Sequence, residues 1–213
     1  MKVVYIFVIL ATLIVSAPAA TAALRDTLAS SPEKVTPLLA GMQAPNSTLT
    51  TPEGDPVSLH ALTSQAPAVV LFYRGGWCPY CNRQLAELKN IEEQLLELGY
   101  QILAISPQST DSLNEQALKT EFAAQLFTDT SLASLREFGI GFYLDAQTQE
   151  RYKQHGIALT LDDNGKAVLP APAVFILDTG AKIQFSYVNP DYKARPSANM
   201  ILAVARAIAE DNQ

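Results

Sequence analysis

The sequence predicts an α/β protein with a central mixed β-sheet flanked by helices. Three observations carry that expectation. Continuous apolar runs rich in β-branched residues, such as A-V-V-L-F-Y, alternate with segments whose apolar residues recur at helical spacing. A late D-T-G turn separates two further apolar runs, which reads as an antiparallel hairpin added to an otherwise parallel sheet. The chain of 213 residues is long enough for one domain with a sizeable core.

The elements follow in order. Residues 23–45 read as a short helix and a proline-broken approach. The stretch S-T-L-T-T-P-E-G-D-P-V-S-L has hairpin character around Glu53-Gly54-Asp55. Pro67 then precedes a strand from Ala68, apolar throughout and so buried on both faces. Leu85, Leu88, Ile91 and Leu95, with Leu96 alongside, predict one helix stopped by Gly99. Tyr100 to Ile105 reads as a strand, Asp111 to Phe122 as a helix opened by T-D-S, and Gln125 to Thr128 as a short strand. Ser131 to Phe138 and Gln147 to Gln154 are helices, stopped by Gly139 and Gly156. Ala173 to Asp178 is a strand. Lys182 to Val188 alternates, which places Ile183, Phe185 and Tyr187 on one face. Pro196 to Glu210 closes the chain as a helix.

The ends and the charge narrow the function classes. Lys2 is followed by an apolar run from Val3 to Val15 and then by S-A-P-A-A-T-A-A, with small residues at Ala20 and Ala22. A basic start, a short apolar core and an A-x-A site are the marks of a secretory signal peptide, residues 1–22, cut after Ala22. The run falls short of the roughly 18 apolar residues of a membrane span. No stable membrane insertion is expected once it is removed; an uncleaved anchor is the alternative. The remainder, 23–213, is then one exported domain of the periplasm or cell envelope. Net charge is -6, with no basic block, so no nucleic-acid partner is expected.

The chain has two cysteines, Cys78 and Cys81, both in G-G-W-C-P-Y-C. A bridge between them closes a very short loop, so it constrains the unfolded chain little and makes a poor structural staple. The motif follows a buried strand and a Gly75-Gly76 turn. Pro79 suits the first position of a helix, where its missing N–H costs nothing. Cys78 is then the N-cap, and the free N–H groups of the first turn favour a thiolate there. Cys81 lies at i, i+3 on the same face, within disulfide reach. A sulfur of lowered pKa gains little as an attacking group but leaves faster from a mixed disulfide, which suits turnover between thiol and disulfide.

W-C-P-Y-C after a strand resembles a thioredoxin-fold active site, and C-P-Y-C is the glutaredoxin-type dithiol. M-Q-A-P-N-S-T-L-T-T-P-E-G-D-P-V-S-L resembles the opening of peroxiredoxins of the alkyl hydroperoxide reductase/thiol-specific antioxidant (AhpC/TSA) group. The insert between Gln108 and Leu169 and the ending F-S-Y-V-N-P-D-Y resemble the peroxiredoxin-like bacterial branch of that group. The resemblance covers most of the chain after residue 22. It implies a thioredoxin-like fold and thiol-based redox catalysis by Cys78 and Cys81 without a cofactor. It also implies a cis-proline facing the dithiol, for which L-P-A-P-A-V-F-I-L-D offers Pro172 after Ala171. Those two residues, with Trp77 and Tyr80, form the expected substrate groove.

The resemblance is less specific for peroxide. With Phe72-Tyr73 aligned on the family's aromatic pair, Arg74 falls where the peroxiredoxin proline stands and Cys78 where its threonine stands. Cys81 falls on the peroxidatic cysteine, and the later family arginine falls on Pro172. The acidic residue that thioredoxins bury six positions before the first cysteine is replaced by Phe72. Arg74 reads as a solvated strand-end residue, with a possible-activator role as the alternative. His60 and His155 read as ordinary surface or structural histidines. A third reading, an envelope copper(I) chaperone, needs both cysteines and one histidine as soft ligands; the primary reading takes no metal.

The function expected is that of an exported thiol–disulfide oxidoreductase, Cys78 nucleophilic and Cys81 resolving, with peroxide reduction as a second activity. The alternative is a thioredoxin-dependent peroxiredoxin with Cys81 peroxidatic. Partners are protein or small-molecule disulfides or peroxides and a thiol/disulfide electron-transfer protein.

Overall fold

A computed structural model describes residues 27–119 and 124–211. The expected signal segment, 1–22, and the predicted end of the helix at Phe122 lie outside the described residues.

Two short strands, β1 (Thr48–Thr50) and β2 (Pro56–Ser58), form the hairpin expected around Gly54. Helix α1 (Leu59–Thr63) follows, capped by the Ser58 hydroxyl, which accepts from the Ala61 N–H. Then come β3 (Ala68–Phe72), α2 (Pro79–Lys89), α3 (Glu92–Glu97), β4 (Gln101–Ser106), α4 (Thr110–Lys119) and β5 (Gln125–Thr128). The second half holds α5 (Ala133–Glu137), β6 (Gly141–Tyr143), α6 (Ala146–Gln154), β7 (Val168–Pro170), β8 (Ala173–Leu177), β9 (Ile183–Val188) and α7 (Ala198–Asp211). The main sheet has the order β2-β1-β5-β4-β3-β8-β9. Strands β3, β4 and β5 are parallel, while β8 runs antiparallel to both β3 and β9, so the sheet is mixed as the sequence predicts.

Side-chain alternation along these buried strands makes two cores. Val70, Phe72, Leu103, Ile105 and Phe175 face one side and pack with Phe138 and with α1 and α5 residues. Val69, Leu71, Tyr73, Ala104, Val174 and Ile176 face the other, against Leu85, Leu88, Leu95 and Ile201 of α2, α3 and α7. Both cysteines belong to this second core.

Four local expectations change. The predicted helix in 23–45 is, over its described part, a single 3₁₀ turn at Pro32–Lys34, since Pro32, Pro37 and Pro45 prevent a longer hydrogen-bonded run. The helix after the cysteines breaks at Asn90-Ile91 into α2 and α3, and Leu96 is 55% exposed on the outer side. In β9 the register shifts, so that Ile176 pairs Phe185 but Leu177 pairs Ile183. This bulge places Ile183 in the first core and Phe185 against the second, on opposite faces of the sheet. Strands β6 and β7, absent from the sequence reading, pair with each other in a separate two-stranded sheet.

Candidate active site

Strand β3 ends at Phe72, beneath the turn that carries the dithiol. Gly75 takes φ 138°, which an L side chain rarely adopts, and a Cβ there would lie 2.6 Å from Trp77 Nε1. The turn is held by amides: the Gly76 N–H donates to Gln108 Oε1 (2.7 Å), and Gln108 Nε2 donates to Gln116 Oε1 (2.8 Å). The buried Tyr73 hydroxyl donates to the same Gln116 oxygen at 2.9 Å. Asn82 of α2 closes the turn by donating to the Gly76 carbonyl at 2.7 Å. The result is a rigid strand–turn–helix with Cys78 as N-cap and Pro79 at the first helical position.

Both cysteines are free thiols, 1% and 0% exposed for Cys78 and Cys81. Their electrostatics diverge. The Cys78 thiol is brought down to about 6, first because the Cys81 thiol donates to its sulfur. Burial opposes this, and the Cys81 N–H with the charges of Arg74 and Arg195 add to the lowering. Cys81 moves the other way: burial pushes its thiol up, and the neighbouring Cys78 sulfur pushes it further. Cys81 thus holds its proton the more firmly, and Cys78 is the sulfur that ionises first.

Arg195 is the residue the sequence reading missed. Its Nη2 donates to Cys81 Sγ at 3.3 Å, its Nη1 to Gln84 Oε1 at 2.9 Å, and its Nε to the Tyr192 carbonyl at 3.0 Å. It stands 114 positions along the chain from Cys81, just before α7. The only local signal was a cation ahead of the last helix.

Arg74 is not solvated. It is 4% exposed, and its Nη2 donates to Tyr152 Oη at 2.6 Å. Its guanidinium carbon lies 4.4 Å from the Tyr192 ring centroid, 5.1 Å from Trp77 and 5.5 Å from Tyr152. Three aromatic rings thus enclose a buried cation beside the thiolate. Trp77 also packs edge-on against Tyr152, and Tyr80 against Tyr192. The expected groove residues Trp77 and Tyr80 do stand at the dithiol, packed on the core that holds it.

Pro172 corrects an expectation. The Ala171–Pro172 peptide bond is trans. No tight turn demands the cis form here, and trans is the ordinary preference of X–Pro bonds. The flanking backbone groups are already used: the Ala171 N–H donates to the Ile140 carbonyl (2.8 Å), and the Pro172 carbonyl accepts from the Asn189 N–H (3.2 Å). Neither is free to pair with a substrate main chain, and Ala171 and Pro172 are both buried.

The histidines are structural. His60 Nε2 lies 2.8 Å from the Ala44 carbonyl, and His155 Nδ1 lies 2.7 Å from the Arg151 carbonyl. Among the described residues no His, Asp or Glu joins the two cysteines as a third metal ligand.

Comparison with known proteins then fixes the family, because residues 40–186 match the AhpC/TSA family. The chain belongs to the AhpC/TSA family. A curated relative, the chloroplastic peroxiredoxin Q of Sedum lineare, is 30% identical over 100 residues, covering 47% of this chain and 53% of that protein. The chain thus spans about half the length of the curated relative it matches. Solved structures share the fold. Peroxidoxin BcpB from Mycobacterium tuberculosis is 21% identical, with TM-score 0.64 over 80% of this chain and 98% of that one. Peroxiredoxin Q from Xanthomonas campestris is 18% identical, with TM-score 0.61 over 82% of this chain and 98% of that one. This AhpC/TSA protein is therefore a peroxiredoxin-like chain on a thioredoxin fold, as its sequence resembles. The family match and the geometry concern the same segment, since the dithiol, Arg74 and the Gln108–Gln116 clamp all lie within residues 40–186.

Proposed function

We propose that this AhpC/TSA protein is a thiol-dependent oxidoreductase that cycles Cys78 and Cys81 between dithiol and disulfide. The observation that carries this reading is the split between the two thiols: Cys78 lowered to about 6, Cys81 raised and donating to it. Cys78 is the nucleophile. Its thiolate attacks a substrate disulfide, one substrate thiolate leaves, and a mixed disulfide forms. Cys81 then loses its proton, attacks the Cys78 sulfur and expels the second substrate thiolate. Two electrons and the Cys81 proton pass to the substrate, solvent protonates the other product thiolate, and a partner dithiol restores the enzyme. Arg195 serves the second half, because a cation 3.3 Å from Cys81 Sγ favours the thiolate that must form there.

Peroxide reduction is the second activity, and Arg195 favours it as well. The Cys78 thiolate attacks one peroxide oxygen, the O–O bond breaks, and the other oxygen leaves protonated. Cys81 then condenses with the Cys78 sulfenic acid and releases water. Arg74 and Arg195 provide positive charge at the sulfurs, although neither stands where the family keeps its arginine. In the alternative assignment Cys81 takes the peroxide. The leader in residues 1–22 supports export to the periplasm or cell envelope; N-terminal sequencing of the exported protein is expected to begin at Ala23.

The test pairs a small disulfide with hydrogen peroxide, and traps sulfenic acid in each single Cys→Ser variant. Rapid disulfide exchange lost in C78S, with any sulfenate on Cys78 in C81S, is the expected result. Full activity in both single variants overturns dithiol cycling, and a sulfenate formed faster on Cys81 in C78S overturns the assignment of roles.

A further inference from the structure

A pocket of about 230 Å³ opens on the side of Arg74 lined by α6 and the segment before α7. Arg74, Arg151, Tyr152, Phe142, Pro172 and Tyr192 are among its walls. Arg74 is unusual there. A buried guanidinium is ordinarily paired with a carboxylate, because an isolated buried charge is costly. Among the described residues the Arg74 guanidinium donates to the neutral Tyr152 hydroxyl, and its Nε is buried without a partner. Its charged neighbour is the Cys78 thiolate, whose charge it helps to hold. Arg151 likewise has no carboxylate partner among the described residues: it donates to Thr148 Oγ1 at 3.5 Å and leans on the Tyr152 ring. The carboxylate of the pocket, Asp145, is engaged as the N-cap of α6, accepting from the Thr148 N–H at 2.8 Å.

We propose that this pocket binds an organic carboxylate with a small apolar body, and binds it more tightly once the Cys78 thiolate is gone. The carboxylate meets the Arg74 guanidinium where it lines the pocket, with Arg151 as second cation, and the apolar body lies against Phe142, Pro172 and Tyr192. The thiolate and the ligand compete for one buried charge. When the thiolate–thiol pair oxidises to the disulfide, two electrons and the one proton of Cys81 leave with the disulfide or peroxide substrate, solvent supplies any second proton, and Arg74 loses its counter-charge. A carboxylate then supplies it. By linkage the same ligand favours the oxidised enzyme and disfavours the thiolate. The redox dependence rests on the dithiol cycling proposed above; the site itself does not.

Trp77 is the single tryptophan of the chain and lies against both Arg74 and Tyr152, so its fluorescence reports on the pocket. The probes are hexanoate and its neutral amide, hexanamide, titrated into full-length protein reduced with a phosphine or oxidised with diamide. Hexanoate is expected to bind the oxidised form at least about fivefold tighter than the reduced form. C78S, which lacks the thiolate and cannot form the disulfide, is expected to match the oxidised form. R151Q is expected to weaken hexanoate about tenfold in either state, with hexanamide showing no preference between states. Equal affinity of hexanoate for reduced wild type and C78S overturns the proposal, as does binding of hexanamide as tight as hexanoate or no binding to any form. Tight binding to C78S, together with diamide-treated wild type that forms no Cys78–Cys81 disulfide, supports the site and overturns dithiol cycling.

Discussion

In the reduced protein the Cys81 S–H donates to the Cys78 sulfur, and this contact is the largest cause of the lowered thiol at Cys78. Two outcomes follow for single residues. Alkylation of Cys78 by iodoacetamide is expected to rise with pH to a midpoint near 6, and C81A, which removes the donor, is expected to move that midpoint upward. A midpoint unchanged in C81A would mean that the neighbouring thiol does not hold the charge. The sign for stability is that of a depressed acid. Cys78 falls from an ordinary 9.0 to about 6, so its contribution is complete above pH 9 and is lost as pH falls through 6. At Arg195, R195Q removes a charged donor from Cys81, and the resolving step is expected to slow about tenfold or more. Stopped-flow decay of the mixed disulfide measures it, with R195K expected to restore part of the rate.

At the scale of the element, the turn between β3 and α2 is specified by contacts on both sides. Gly75 must hold a positive φ under Trp77, and Gly76 abuts the Gln116 side chain, where a Cβ would lie 2.9 Å away. Gly75→Ala is expected to cost about 1–3 kcal/mol in urea unfolding and to shift the Trp77 emission, because the indole must yield. A G75A protein with wild-type stability and emission would show the turn to be looser than these contacts allow. On the other face, Phe138 packs between Phe72 and Phe175, with centroids 4.9 and 5.0 Å away. Phe138→Ala is expected to cost about 3–5 kcal/mol while leaving the Cys78 titration midpoint in place, since the sheet separates it from the dithiol.

For the whole molecule, the sheet divides the labour. One core joins the hairpin, α1 and α5; the other joins the dithiol to α2, α3 and α7. Arg195 reaches Cys81 only because α7 docks on that second core through Ile201, Leu202 and Ala205. Ile201→Ala is expected to cost about 2–5 kcal/mol. It is also expected to slow resolution by Cys81, although Ile201 touches neither sulfur, because the arginine is carried by the same segment. Loss of stability with an unchanged resolution rate would uncouple the arginine from the helix.

What the sequence determined by itself was local. Apolar runs gave the strands β3, β4 and β8, since a strand buried on both faces has few polar positions to hide. Pro79 after Cys78 gave the helix start, and the spacing of Cys78 and Cys81 gave a dithiol on one helix face. The helix-stopping glycines Gly99, Gly139 and Gly156 all adopt positive φ. What the tertiary structure decided involves residues far apart in the chain or a change of period. The bulge at β9 moves Ile183 to the opposite face from Phe185, and alternation alone gives no sign of an inserted residue. Pro172 keeps the ordinary trans bond, and the backbone groups on either side of it are taken by Ile140 and Asn189, residues far away in the chain. The cations at the sulfurs were the hardest to see. Arg74 follows a strand, where a cation ordinarily reaches water, and it is buried only because Tyr152 and Tyr192 converge on it. Arg195 meets Cys81 only once α7 packs against α2 and α3, a contact set by shape and burial, for which no short stretch of sequence carries the pattern.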